Sequence, residues 1–157
     1  MLVNGVFAQE RNWEVALGIG LPEFLQIGLN RDIAKRNSLG FNFGYIPLES
    51  YTSVHFTLEH KLNFHYSRKF ATLPTWHFGQ RLTYIYEDNG TKIFKTLYLT
   101  PSIGRHLNIT NRFGLNTDFG ASIKLWGRKI PDDTYEDESN LRFLFLPSAR
   151  IQLVYKF

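Results

Sequence analysis

His65 and Ser67 stand two residues apart, on one side of an extended chain. A histidine beside a serine is the beginning of an acyl-transfer site, because the imidazole can take the hydroxyl proton. Such a site would further need a carboxylate to orient the ring and donors for an oxyanion. The chain has five histidines, at 55, 60, 65, 77 and 106. His55 and His65 are too far apart along one strand to share an ion. His65 and His77 could approach across a hairpin, but no third ligand accompanies them, so no metal site is expected. Cysteine is absent, which excludes thiolate metal sites, disulfides and a Cys nucleophile. No phosphate loop or dinucleotide fingerprint occurs, and no cofactor is expected.

A second set of residues is charged and sits where strands should be. Glu59, Lys61, Arg81, Asp118 and Arg150 fall near the middles of alternating segments, all on the polar side. Glu14, Lys124 and Arg142 lie on the same side nearer the ends. The signs are mixed, so pairs can form. A hairpin centred near residue 70 puts Glu59 opposite Arg81 and His60 beside Gln80. His60 and Gln80 break the otherwise apolar side, as candidate contacts to a lipid or a partner protein. The structural alternative for them is a strand end near an interface, or a local bulge that turns His60 inward.

The elements that carry these residues show period-two alternation almost throughout. Eight strands are predicted: 13–20, 24–30, 38–46, 52–66, 75–86, 92–106, 113–126 and 140–157. The third is the cleanest, with Leu39, Phe41, Phe43 and Tyr45 against Ser38, Gly40, Asn42 and Gly44. Asp88-Asn89-Gly90 is a tight-turn signal, since Asn-Gly accepts positive φ. It also begins the triplet Asn89-Gly90-Thr91, which like Asn108-Ile109-Thr110 fits the glycosylation pattern but coincides with a turn. The longest polar link, 127–139, is rich in Asp and Glu. Short links and no helix predict an up-and-down meander.

Alternation alone does not say which side faces in. Nine glycines, at 18, 20, 28, 40, 44, 79, 104, 114 and 120, share the polar side. Glycine weakens a solvated strand, but it suits the cramped bore of an eight-stranded barrel. The apolar side carries most of the Phe, Leu, Ile and Trp, too many large side chains for so narrow an interior. The apolar side is therefore expected to face lipid, with closure satisfying every sheet edge. The competing architecture is a soluble, lipocalin-like ligand-binding barrel.

The chain ends Arg150-Ile151-Gln152-Leu153-Val154-Tyr155-Lys156-Phe157. Ile151, Leu153, Tyr155 and Phe157 share one face and stop on an aromatic. This ending resembles the C-terminal strand of bacterial outer-membrane β-barrels, which the barrel-assembly machinery recognises. From Trp13 onward the chain resembles the small eight-stranded barrels of the OmpA and OmpX type. The resemblance implies an all-β, eight-stranded, antiparallel up-and-down transmembrane β-barrel over residues 13–157. It also implies an outer-membrane location, periplasmic termini, and links after odd-numbered strands outside the cell. The short links 21–23 and 47–50 depart from that family's long external loops. His65-Tyr66-Ser67 is similar to the His and Ser of outer-membrane lipid A deacylases, but Arg68 stands where those enzymes have Asn. By parity the pair would face inward here.

Composition fits this reading. The 157 residues suit one domain, with 16% aromatics and a net charge of +4 that is scattered rather than clustered into a nucleic-acid patch. No apolar run reaches the roughly 18 to 20 residues of a transmembrane helix. The mean hydropathy of -0.24 is uninformative for strands apolar on one face only. Residues 1–12 are a lead-in; Val6-Phe7-Ala8 resembles the end of a secretory signal but lacks a basic start. The expected function is non-enzymatic: a barrel whose lumen is plugged by an ion-pair network, acting structurally or as an accessory subunit of a larger envelope complex. Its expected partners are outer-membrane lipids and lipopolysaccharide, with no nucleic acid. The alternative to the plug is a thin water channel. The enzymatic alternative is a lipid-modifying enzyme of the deacylase kind.

Overall fold

The computed structural model describes residues 13–34, 36–48, 51–66, 74–110, 112–130 and 145–157. The lead-in 1–12, Ser67, Arg142 and most of the acidic link lie outside the described residues. Eight strands follow in order: β1 (Trp13–Leu21), β2 (Phe24–Ala34), β3 (Asn37–Leu48), β4 (Tyr51–Tyr66), β5 (Pro74–Asp88), β6 (Ile93–Asn108), β7 (Phe113–Ile130) and β8 (Phe145–Lys156). Each pairs antiparallel with the next, and β8 returns to β1, giving a closed barrel. Closure runs from Glu14 opposite Lys156 to Leu21 opposite Ala149.

The period-two pattern resolves into a wall with two different faces. Outward-pointing Phe119 is 64% exposed, Leu58 60% and Phe41 46%, whereas Arg81, Arg150 and Gln152 are buried inside. This is the reverse of a soluble barrel, which would bury its rings and solvate its charges. Aromatic rings mark both ends of the apolar wall. Trp13, Trp76 and Phe113 stand toward the end that holds the termini, and Tyr45, Tyr84, Tyr86 and Trp126 toward the other. Cations lie over several of them: Arg31 over Trp13 at 5.2 Å, Arg105 over Trp76 at 5.5 Å and Lys95 over Tyr86 at 5.9 Å. Amphipathic rings with cations above them suit a boundary between hydrocarbon and head groups.

Most strands run a residue or more past their predicted bounds, and two run four residues further. β2 continues past Asn30 to Ala34, and β7 past Trp126 to Ile130. Both extensions are held by ladder bonds to a neighbour, Arg31 opposite Leu39 and Arg128 opposite Lys95. Charged residues fall on both faces there, Arg31 and Asp32 on β2 and Arg128 and Lys129 on β7, so the alternation that reveals a strand is lost. The turn at Asp88-Asn89-Gly90 forms as expected: Gly90 has φ +77°, Asp88 Oδ1 accepts from the Gly90 amide at 2.8 Å, and Asn89 Oδ1 accepts from the Lys92 amide at 2.7 Å.

Candidate functional site

The interior is a stack of polar side chains with Arg150 at its centre. Register fixes its neighbours: Arg150 of β8 lies opposite Asp118 of β7, and Glu59 of β4 lies across the bore. Arg150 Nε donates to Asp118 Oδ2 at 2.9 Å, and its Nη2 donates to the same oxygen at 2.8 Å. Nη1 donates to Glu59 Oε2 at 3.2 Å, and Nη2 also reaches Glu59 Oε1. All three side chains are fully buried. A planar guanidinium with five donors can bridge two carboxylates in this way; a lysine could not. The two acids have secondary partners. Lys61 Nζ lies 3.7 Å from Glu59, and His77 Nε2 lies 2.6 Å from Asp118 Oδ1. Asn42 and Asn116 add amide donors to the same carboxylates, each at 3.4 Å.

A second cluster closes the end of the bore away from the termini. The turn between β1 and β2 dips into the barrel, so that Glu23 is buried. Its Oε1 accepts from Arg81 Nη1 at 2.8 Å and from Thr83 Oγ1 at 3.3 Å. Arg81 Nη2 donates to Ser148 Oγ at 2.6 Å, and Ser148 in turn donates to the Leu21 carbonyl at 2.8 Å. The turn is thus latched through its side chain to Arg81 across the bore and through its backbone to Ser148 on the neighbouring β8. Phe24 pays for the tuck with φ +51°, a left-handed conformation unfavourable for a side chain of that size. Strain of that kind persists where surrounding contacts over-determine it. The Phe24 ring stands edge-on to His55 at 6.3 Å, and the Glu23 latch completes the restraint.

The five charged residues singled out from sequence therefore all point into the bore, but not in the pairing expected. Glu59 and Arg81 do face each other in the ladder. Their side chains part: Glu59 turns to Arg150, and Arg81 rises to Glu23. Arg150 offers two more hydrogen-bonding nitrogens along Glu59's direction, and the tucked turn supplies Arg81 with its own carboxylate. Toward the terminal end the lumen keeps a polar cavity of about 20 Å³, lined by Glu14, Asn30, Lys61, His77 and His106 among others.

On the outer wall, His60 and Gln80 are direct ladder partners. His60 is half-buried and its Nε2 lies 3.0 Å from Asn37 Oδ1 on β3. Gln80 is exposed, and beside it in the ladder stands Pro101. The β6–β7 ladder skips Thr100 and Pro101 between the pairs Leu99–Ile123 and Ser102–Gly120. Proline has no N–H, so the carbonyl of Ala121 opposite it loses its ladder donor. The bulge that would have turned His60 inward is absent, since the register runs unbroken from Thr52–Asp88 through His60–Gln80 to Asn63–His77.

His65 lies beyond a register shift, at the exposed end of β4, with its Nδ1 2.6 Å from Thr75 Oγ1. It does not face inward as parity predicted, because the irregularity after Asn63 resets the alternation. Among the described residues no three His, Asp or Glu side chains gather as a metal site. Ile151, Leu153 and Tyr155 face outward on β8, opposite Ile19, Leu17 and Val15 of β1. The Phe157 amide donates to the Trp13 carbonyl at 3.1 Å, so the last residue is tied into the closing seam.

Sequence reasoning missed Glu23 and His77 as members of the interior. His77 is on the polar side of β5 and could have been found by parity. Glu23 gave no such signal, because a turn residue has no alternation to place it.

No family model matches the chain and no curated relative was found. Among solved structures, the crystal structure of CarO from Acinetobacter baumannii is similar, with a TM-score of 0.54 over 93% of this chain and 97% of that one, at 8% identity. At that identity the likeness is one of fold. It supports the closed antiparallel barrel of eight strands described above.

Proposed function

We propose that this chain is a non-enzymatic outer-membrane β-barrel with a plugged lumen, working as a structural or accessory subunit of the envelope. The observation that carries the reading is the doubly paired Arg150. A guanidinium held by two fully buried carboxylates from opposite walls occupies the middle of the bore. An eight-stranded barrel has room for little beyond its own side chains. The Glu23–Arg81 latch adds a second obstruction at one end. The polar cavity of about 20 Å³ toward the terminal end seats about one water. The outward distribution of rings and aliphatics supports the bilayer location, and the likeness to CarO supports the barrel class.

In this reading the barrel resembles the OmpA and OmpX type, with both termini in the periplasm. The β1–β2, β3–β4, β5–β6 and β7–β8 links then meet the cell exterior. Outer-membrane lipids and lipopolysaccharide surround the wall, the barrel-assembly machinery takes the strand ending at Phe157, and a larger membrane complex would meet the wall at His60 and Gln80. Among the described residues the Gln80 side chain has no hydrogen-bond partner, and a glutamine facing hydrocarbon favours such a contact, because acyl chains cannot satisfy its amide. Planar-bilayer recording tests the plug. The purified barrel should add no steady conductance, and a large, persistently open channel would refute it.

A further inference from the structure

Lys95 of β6 and Arg128 of β7 are direct ladder partners on the outward face. Side chains directly opposite in an antiparallel pair stand about 4.5–5.5 Å apart at Cβ, and like charges there repel. Among the described residues this is the one ladder pair of like charge, and neither member has a carboxylate within ion-pair distance. The two described acids at the end of the adjoining β5 are otherwise engaged. Glu87 accepts from the Tyr51 hydroxyl at 2.5 Å on the inner side, and Asp88 caps its own turn.

Depth gives the pair its meaning. Two residues nearer the barrel's middle, the same ladder holds Tyr84, Leu97 and Trp126, a ring-bearing row of the kind that marks the edge of hydrocarbon. Lys95 itself lies over the Tyr86 ring at 5.9 Å. Lys95 therefore lies along a ring just beyond that row, and Arg128 stands exposed beside it, at the depth where long cationic side chains reach head groups. The bulge between Leu97 and Tyr98 brings this about. An extra residue on β7, Leu125, shifts the register so that Arg128 rather than Gly127 stands outward beside Lys95.

We propose that Lys95 and Arg128 form a phosphate-binding clamp for the diphosphorylated glycolipid of the outer leaflet, lipid A. An anion between the two cations turns their repulsion into shared attraction, and Arg128 adds the planar fork that matches phosphate oxygens. The inference rests on the proposed orientation, which puts this rim at the cell surface.

The test uses the full chain, folded in mild detergent and checked by its heat-modifiable gel mobility. Native mass spectrometry after titration with diphosphoryl lipid A should show a retained lipid. The double variant Lys95→Gln/Arg128→Gln should lose at least tenfold in apparent affinity. The control Arg105→Gln, at the opposite rim, should bind as the parent does. Equal retention by the double variant, or equal affinity for phosphatidylglycerol or dephosphorylated lipid A, would overturn the clamp. If the acidic stretch after Ile130 neutralised the pair instead, the parent would retain no lipid A, and the clamp would be overturned equally. Orientation is tested separately. Asn89→Cys, the sole thiol, should be labelled on intact cells by an impermeant maleimide; absence of labelling there would sink the orientation itself.

Discussion

Replacing Arg150 with methionine keeps most of the side chain's length and removes its charge. In the native bore the guanidinium makes four hydrogen bonds to two carboxylates. Removing one partner of a buried ion pair costs about 3–5 kcal/mol, because the charge left behind is desolvated and unpaired. Here two carboxylates are stranded, which pushes toward the upper figure. Lys61 at 3.7 Å and His77 at 2.6 Å take up part of the load, which pulls it down. The balance is a loss of about 3 kcal/mol for Arg150→Met. Urea titration of the barrel refolded into lipid vesicles would measure it as a lower midpoint at unchanged slope. The triple variant Glu59→Gln/Asp118→Asn/Arg150→Met removes all three charges and leaves two amides and a thioether of similar shape. It should recover part of the loss, since the bridge is then neutral, while Lys61 without its carboxylate keeps it below the parent. If the single variant lost under about 1 kcal/mol, the bridge would not be what organises the bore. If the triple variant were as unstable as the single one, lost volume rather than stranded charge would be the cause.

Three further outcomes follow from the same geometry. Glu23→Ala should free the β1–β2 turn and leave Arg81 buried without its carboxylate, lowering stability by about 3 kcal/mol and adding brief openings to bilayer recordings; unchanged recordings and stability would mean the latch is idle. Gly120→Ala should destabilise by about 1–3 kcal/mol in the same urea assay, because a Cβ there would meet the Pro101 carbonyl and the Ser102 Cα, backbone that cannot move aside. Phe157→Ser should cut the amount of barrel reaching the outer membrane in cells while leaving refolding in vitro nearly intact; equal losses in both would make the terminal ring a packing residue, not an assembly signal.

The strands and their facing were legible because each wall residue repeats the same choice. Leu39, Phe41, Phe43 and Tyr45 point outward while Ser38, Gly40, Asn42 and Gly44 line the bore; alternation marks the strand, and the glycines on its polar side mark which face is inner. Register across β4 and β5 was legible too, because link length fixes which residues can face each other, and Glu59–Arg81 and His60–Gln80 followed. Side-chain choice was not. Glu59 has a ladder neighbour of opposite charge and ignores it for an arginine four strands away in sequence, because inside so narrow a bore opposite walls are as near as adjacent strands. His65 misled for a different reason: an irregularity after Asn63 turns it outward, a second shift follows before Tyr66, and alternation carries no mark of where it slips.

The glycines explain how charges of this size fit at all. A Cβ on Gly104 would run into His77 Nε2 and Asp118 Oδ1, one on Gly114 into His106, one on Gly28 into Asn42, and one on Gly40 into Asn30. Each of these glycines is the floor on which a polar side chain from a neighbouring strand lies. Side chains lying flat reach along the bore instead of meeting head-on at its axis, which is how His77 comes to Asp118 and leaves the axis to Arg150. The glycine pattern and the charge pattern are thus one arrangement seen twice. If the small residues served only backbone flexibility, alanine at Gly104 would be tolerated. If they serve as floors, that alanine must push His77 off Asp118, and the Arg150 bridge would be left with a carboxylate short of one partner.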